Sequence, residues 1–318
     1  MEQLPQHLDH FVVEALKAFP TWQYPEVDLP VSDRNVFIGS GSASCAADFF
    51  AEKFGGLAFH ASNYKKILSR MQEKNFASIN IVSASGGKDS LPMADFCQEV
   101  LGQKANLITC NPDAPAKEKT AKQFVFPAFK EPPTYNTSTY GSMLYWLFKE
   151  DSDKILNRLE NLTIPNLREY GYVFFMADDK YATIADMAMR KVAETNQGVA
   201  VNAAGFTQGS HGMLRQPADN RLVFTINYEY PFPEKKYDLK ADGYLEAMML
   251  IYYIIGKNQN DQDTANIVSD YAKTVKTLGW QLKEVNWYFK PRRAFCSAGL
   301  TFYPPWFILK CMIYYRYH

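Results

Sequence analysis

From Asn35 onward, short apolar runs alternate with segments of helical periodicity, the rhythm of βαβ units around a parallel sheet. The pattern predicts strands at Asn35 to Ile38, Ile79 to Val82, Ala105 to Thr109 and Phe124 to Phe126. Helices are predicted at Ser44 to Phe54, Ser90 to Leu101 and Ala114 to Ala121, followed by one long helix from Thr139 to Leu159. Pro165 closes this half, and the rhythm then restarts: a strand at Tyr172 to Met176, a helix at Ala182 to Thr195, and strands at Val199 to Asn202 and Leu222 to Ile226. After Asn227 a Pro-rich connection, YEYPFPEKKYDL, leads to helical patterns at Ala241 to Ile255 and Asp261 to Leu278. The expected fold is α/β: two three-layer αβα domains with parallel sheets, residues 1–165 and 166–318, the second sheet smaller. The restart reads as an internal repeat of architecture without sequence identity.

A chain of 318 residues is about twice the usual length of one domain and can bury a sizeable core. Lys plus Arg equals Asp plus Glu, 34 against 34, which argues against nucleic acid as a partner. The five cysteines include no CxxC pair and fit a reducing compartment. The N-terminus, MEQLPQHLDHFVVEALKAF, lacks a basic region followed by an unbroken apolar stretch, so it reads as an amphipathic helix and the expected location is cytoplasmic. The aromatic tail from Leu300 to Tyr315 is interrupted by Pro304, Pro305 and Lys310 and is too short to span a membrane, which leaves a docked or interfacial tail. No His, Asp and Glu cluster has metal-ligand spacing, so neither metal nor cofactor is expected.

The candidate chemistry begins in the turns. NVFIGSGSAS runs from a strand directly into a helix, with Gly39, Gly41, Ser40, Ser42 and Ser44 around the helix N-terminus. Such a turn accepts an anion through unpaired N–H groups and the positive end of the helix dipole, although a plain helix cap gives the same residues. SASGGKDS, Ser83 to Ser90, repeats the arrangement after the next predicted strand and adds Lys88 as a neutralising charge. In a parallel sheet both turns fall at the carboxyl ends of strands, where open α/β folds bind ligands. A third polar segment, PPTYNTSTYGS, leads into the long helix with Thr137 and Ser138 and reads equally as an N-cap cluster. GSGSAS lacks the third glycine of a dinucleotide fingerprint and no P-loop is present, so a small phosphorylated metabolite suits these turns better than a nucleotide.

These residues resemble the sugar isomerase (SIS) family, in particular its double-domain members such as the isomerase half of glucosamine-6-phosphate synthase, over about Asn35 to Ile226. The resemblance implies that Ser42, Ser83 and Ser85 bind a substrate phosphate, with Lys88 or Ser90 where the family has a threonine, and Gly41, Thr137 and Ser138 as weaker substrate contacts. Two positions depart from the synthase. Gly87 stands where an acidic residue usually follows the Ser-x-Ser-Gly motif, and Ser138 stands where the synthase has a lysine.

In the second half, MAMRKVAETN resembles the family helix that bears a catalytic glutamate, with Glu194 at the matching position and Lys191 on the same helix face. FTQGSHGML places His211 where the family has a histidine in a Lys-His-Gly-Pro-like turn. By themselves Glu194 reads as a solvated helix-end carboxylate and His211 as a loop histidine. Through the resemblance, His211 is expected to open the sugar ring, a shielded Glu194 of raised pKa to move the proton between C1 and C2, and Lys191 to stabilise the enediolate. The implied activity is an aldose-ketose isomerase, or a deaminase or deglycase of amino-sugar phosphates, acting as a homodimer in which the histidine comes from the neighbouring subunit. The competing expectation is a sugar-phosphate sensor without turnover.

Overall fold

The computed structural model describes residues 6–71, 75–87, 89–195, 198–205, 220–230 and 235–277. Two parallel sheets carry the fold. The first has five strands, β1 (Asn35–Gly39), β2 (Leu57–His60), β3 (Ser78–Val82), β4 (Asn106–Thr109) and β5 (Gln123–Val125), in the order β2-β1-β3-β4-β5. The second has four, β6 (Tyr172–Ala177), β7 (Ala200–Gly205), β8 (Arg221–Ile226) and β9 (Lys236–Leu239), in the order β7-β6-β8-β9. Each half therefore starts with an inner strand, steps outward once, crosses back and continues in the opposite direction. The sequence repeat is a repeat of strand order, and the second sheet is the smaller.

The helices are α1 (Leu8–Ala18), α2 (Ser42–Phe54), α3 (Tyr64–Met71), α4 (Ser90–Val100), α5 (Thr137–Phe148), α6 (Ser152–Glu160), α7 (Ala182–Thr195), α8 (Tyr244–Lys257) and α9 (Asp261–Thr277). Period-two alternation sorts the first sheet's side chains into two cores. Val36, Ile38, Ile79, Ile81 and Leu107 face Leu68 of α3 and Met93, Ala94 and Cys97 of α4. Phe37, Val82, Ile108 and Phe124 face the other way, into a core shared with α2, α5, α7 and α8 and with Val173, Phe175, Leu222 and Phe224 of the second sheet. Helix α8 is apolar almost all round, YLEAMMLIYYIIGK, and is buried accordingly, packed on α1, α5 and α7. The described residues cluster as one compact unit that contains both sheets. Among the described residues no helix is long and apolar enough to cross a membrane.

Two expectations need correction. The long helix from Thr139 to Leu159 is two helices, because Lys149 adopts a left-handed conformation (φ 54°) and Asp151 then caps α6 through the Asp153 and Lys154 N–H groups. The helix expected at Ala114 to Ala121 shrinks to one short turn at Lys117–Lys119. Its N–H groups go elsewhere: Ala116 N–H donates to Gly86 O (3.0 Å) and Ala121 N–H to Ala105 O (2.8 Å). Backbone that completes a sheet edge and a neighbouring turn is not free to continue a helix.

Candidate functional site

The strand order of the first sheet reverses between β1 and β3, and the crevice beyond the carboxyl ends of strands at such a reversal is where open α/β sheets take ligands. Both Ser-rich turns lie there, one after β1 and one after β3. A hydrogen bond from Ser40 Oγ to Asp89 Oδ2 (2.9 Å) joins them. Asp89 is the N-cap position of α4, so the acidic group missing at Gly87 is present two positions later, engaged with the first turn.

The first turn is shaped by close approach. A Cβ on Gly39 would lie 2.2 Å from the carbonyl oxygen of Ala43, so only glycine lets β1 run this tightly into α2. The expected result for Gly39→Ala is a loss of about 2 kcal/mol or more in chemical denaturation, the range of backbone and overpacking lesions; a neutral substitution would show that α2 can shift away. In the second turn Gly86 has φ 63°, and a Cβ there would meet Ala114 at 2.4 Å.

The serines are oriented by their own backbone. Ser83 Oγ accepts the Gly86 N–H (3.1 Å) and Ser85 Oγ accepts the Gly87 N–H (3.3 Å). A hydroxyl that accepts from the turn keeps its own hydrogen as a donor for an anion. Ser42 is buried in the first turn of α2, and Ser90 is fully buried at the start of α4 with a hydroxyl that has no hydrogen-bond partner. Lys88 lies outside the described residues.

Contacts lead from these turns to the second half. Cys110, whose N–H donates to Ala84 O (3.1 Å), places its thiol 4.0 Å from Thr139 O in the first turn of α5. The N-terminus of α5 is closed by Glu131, which accepts the Thr137 N–H (2.9 Å), the Ser138 N–H (3.0 Å) and the Ser138 hydroxyl (2.8 Å). The cap of α5 thus comes from Glu131 and not from the hydroxyls of the third polar segment. Ser138 is committed to Glu131, whereas the buried Thr137 hydroxyl has no partner. Burial pushes the Glu131 carboxyl above the usual range, partly offset by these donors and by Lys191.

Lys191, on α7, is fully buried, donates to Thr134 O and to Glu194 Oε2 (3.0 Å), and lies 5.2 Å from the centre of the Tyr252 ring. Glu194 keeps 36% of its side chain exposed, so it is not the shielded carboxylate expected; the shielded carboxylate here is Glu131. No periodicity singles out Glu131, because it acts on a helix that begins six residues later. His211 lies outside the described residues, as does the aromatic tail.

The second sheet has a matching reversal between β6 and β8 with different chemistry. β6 is followed by Asp178, Asp179 and Lys180, with the Asp178 carboxylate bound to the Lys180 N–H (3.0 Å). Asn227, after β8, is bound on both sides of its amide to Ala241 (2.6 and 2.9 Å).

No family model matches the chain, and no curated protein matches it in sequence. Solved structures do. The C-terminal domain of glucosamine-fructose-6-phosphate aminotransferase from Francisella tularensis is similar at 14% identity and TM-score 0.54, over 82% of this chain and 94% of that one. The chain has the sugar isomerase fold. Tagatose-6-phosphate ketose/aldose isomerase from Escherichia coli shares this fold at 14% identity and TM-score 0.54, over 83% and 91% of the two chains. Glucosamine-6-phosphate deaminase from Thermotoga maritima shares it at 12% identity and TM-score 0.52, over 81% and 91%.

Proposed function

We propose that the chain is a phosphosugar-processing enzyme, an aldose-ketose isomerase or a deaminase or deglycase of amino-sugar phosphates, whose substrate phosphate sits in the β1/β3 crevice. The observation that carries this reading is the joining of two Ser-rich turns at one strand reversal, with Ser83 and Ser85 accepting from their own turns and so left to donate outward. A phosphate gains there from hydroxyl donors and from the N-termini of α2 and α4. The sugar then extends past α5 toward Lys191 and Glu194. Glu194 is the base that moves the proton between neighbouring carbons, and Lys191 stabilises the enediolate oxygen. His211 is the ring-opening group, and we include a homodimer because the resembled histidine reaches its site from a second subunit.

A thermal-shift screen of phosphorylated sugars tests the reading most directly. Stabilisation of about 2.7 kcal/mol is expected at a ligand concentration one hundred times Kd. A sugar phosphate should stabilise the protein where the unphosphorylated sugar does not. No shift at millimolar ligand removes the site, while binding without product in a sugar analysis favours the sensor.

A further inference from the structure

His60 ends β2, paired in register with Gly39 at the end of β1, so its ring stands beside the first turn. Its two nitrogens have separate partners. Nε2 lies 3.2 Å from the Gly41 nitrogen, and Nδ1 lies 3.0 Å from Ser62 Oγ and 3.1 Å from the Ser62 nitrogen. With the proton on Nδ1, the ring donates to Ser62 Oγ and accepts the Gly41 N–H. With the proton on Nε2, Nδ1 accepts the Ser62 N–H, and Nε2–H and Gly41 N–H become two donors facing one point. Only an acceptor satisfies that second arrangement, while the first leaves the Ser62 N–H facing Nδ1–H.

A second group approaches the same turn from the other half of the fold. Helix α7 packs on α2: Thr183 meets Asp48 at 3.4 Å, and Arg190 lies two turns, about 10 Å, further along α7. There its charge acts on Cys45 in the first turns of α2 and on His60. The Arg190 Nε is buried with no hydrogen-bond partner, while Nη2 is paired with Asp186 Oδ2 at 3.8 Å. Among the described residues, the charged groups acting on His60 are Arg190 from α7 and Asp89 from α4. Burial and Arg190 hold the imidazole below its usual pKa, against Asp89, which keeps the ring neutral and free to exchange tautomers.

Building on the phosphate site proposed above, we propose that His60 and Arg190 are phosphate ligands of the β1/β3 crevice, His60 by exchanging its hold on the Gly41 N–H for an Nε2–H donated to the anion, and Arg190 through its unpartnered Nε–H. Neither residue belongs to the Ser-rich motifs, and they come from opposite halves of the chain. Among the described residues of the two turns, the other donors are hydroxyls and N–H groups, beside the Asp89 carboxylate.

The test uses the full chain with labelled histidine and two probes, inorganic phosphate and fructose 6-phosphate. On saturation the His60 Nε2 nitrogen-15 signal should move from the bare toward the protonated position. Arg190→Gln should raise the Kd for inorganic phosphate by about tenfold or more, the worth of one charge-assisted hydrogen bond, and Arg190→Lys should recover part of it. An unmoved Nε2, or an unchanged Kd in Arg190→Gln, overturns the proposal when the unsubstituted protein binds phosphate. If the unsubstituted protein binds neither probe, the phosphate site itself fails and takes this proposal with it.

Discussion

Replacing Glu194 by Gln is expected to lower turnover of a phosphorylated ketose or amino sugar by about 10²-fold or more, the contribution of a positioned general base, with sugar-phosphate affinity nearly unchanged. The separation follows from the layout. In the proposed site the phosphate is held by the turns after β1 and β3, whereas Glu194 is on α7, paired with Lys191 at 3.0 Å. An amide accepts the Lys191 hydrogen bond as a carboxylate does, so the substitution removes basicity and leaves packing intact. Glu194 keeps part of its surface open, which gives a reacting carbon access to its oxygens. Steady-state kinetics beside a binding isotherm decide the matter: retained turnover takes Glu194 out of the mechanism. Glu131→Gln is the informative control. Its carboxylate is spent on the α5 N-terminus, so its loss should appear in stability before it appears in chemistry.

The second large effect is structural. Lys191→Met should destabilise the protein by about 3–5 kcal/mol, because removing one member of a buried charged set leaves the others uncompensated in low dielectric. Lys191 is fully buried, its ammonium binds Thr134 O and Glu194, and its charge acts on Glu131. The double substitution Lys191→Met with Glu131→Gln should cost less than the two singles added, since the carboxyl left stranded by the first change is then neutral. Urea denaturation of the four proteins measures the coupling. Strict additivity would mean that the two groups act independently.

Fold and site were legible to different depths. Strands buried on both faces, such as NVFI and INIV, announce themselves as apolar runs, and the helix Ala182 to Thr195 appears with the bounds its pattern predicts. Two of the four edge strands, β2 and β9, escaped notice because neither reads as an apolar run: LAFH is four residues long and begins exposed, and KYDL carries two charges outward. The Ser-rich turns were readable because their chemistry is local in sequence. Glu131, His60 and Arg190 were not, because each acts on backbone or side chains brought to it by the fold: Glu131 on a later helix, His60 across a strand pair, Arg190 from the other half of the chain. The Ala114 to Ala121 helix failed for the related reason that its backbone is drawn to the Ser83–Gly87 turn and to β4.

The shared strand order of the two sheets has a consequence for how work is divided. Among the described residues, the reversal in the second sheet carries Asp178, Asp179 and Lys180, with Asn227 tied to Ala241, in place of the Ser-rich turns of the first. On the proposed reading the two halves divide the work unequally: the first supplies the phosphate cradle, and the second contributes α7, the one helix that carries Arg190, Lys191 and Glu194.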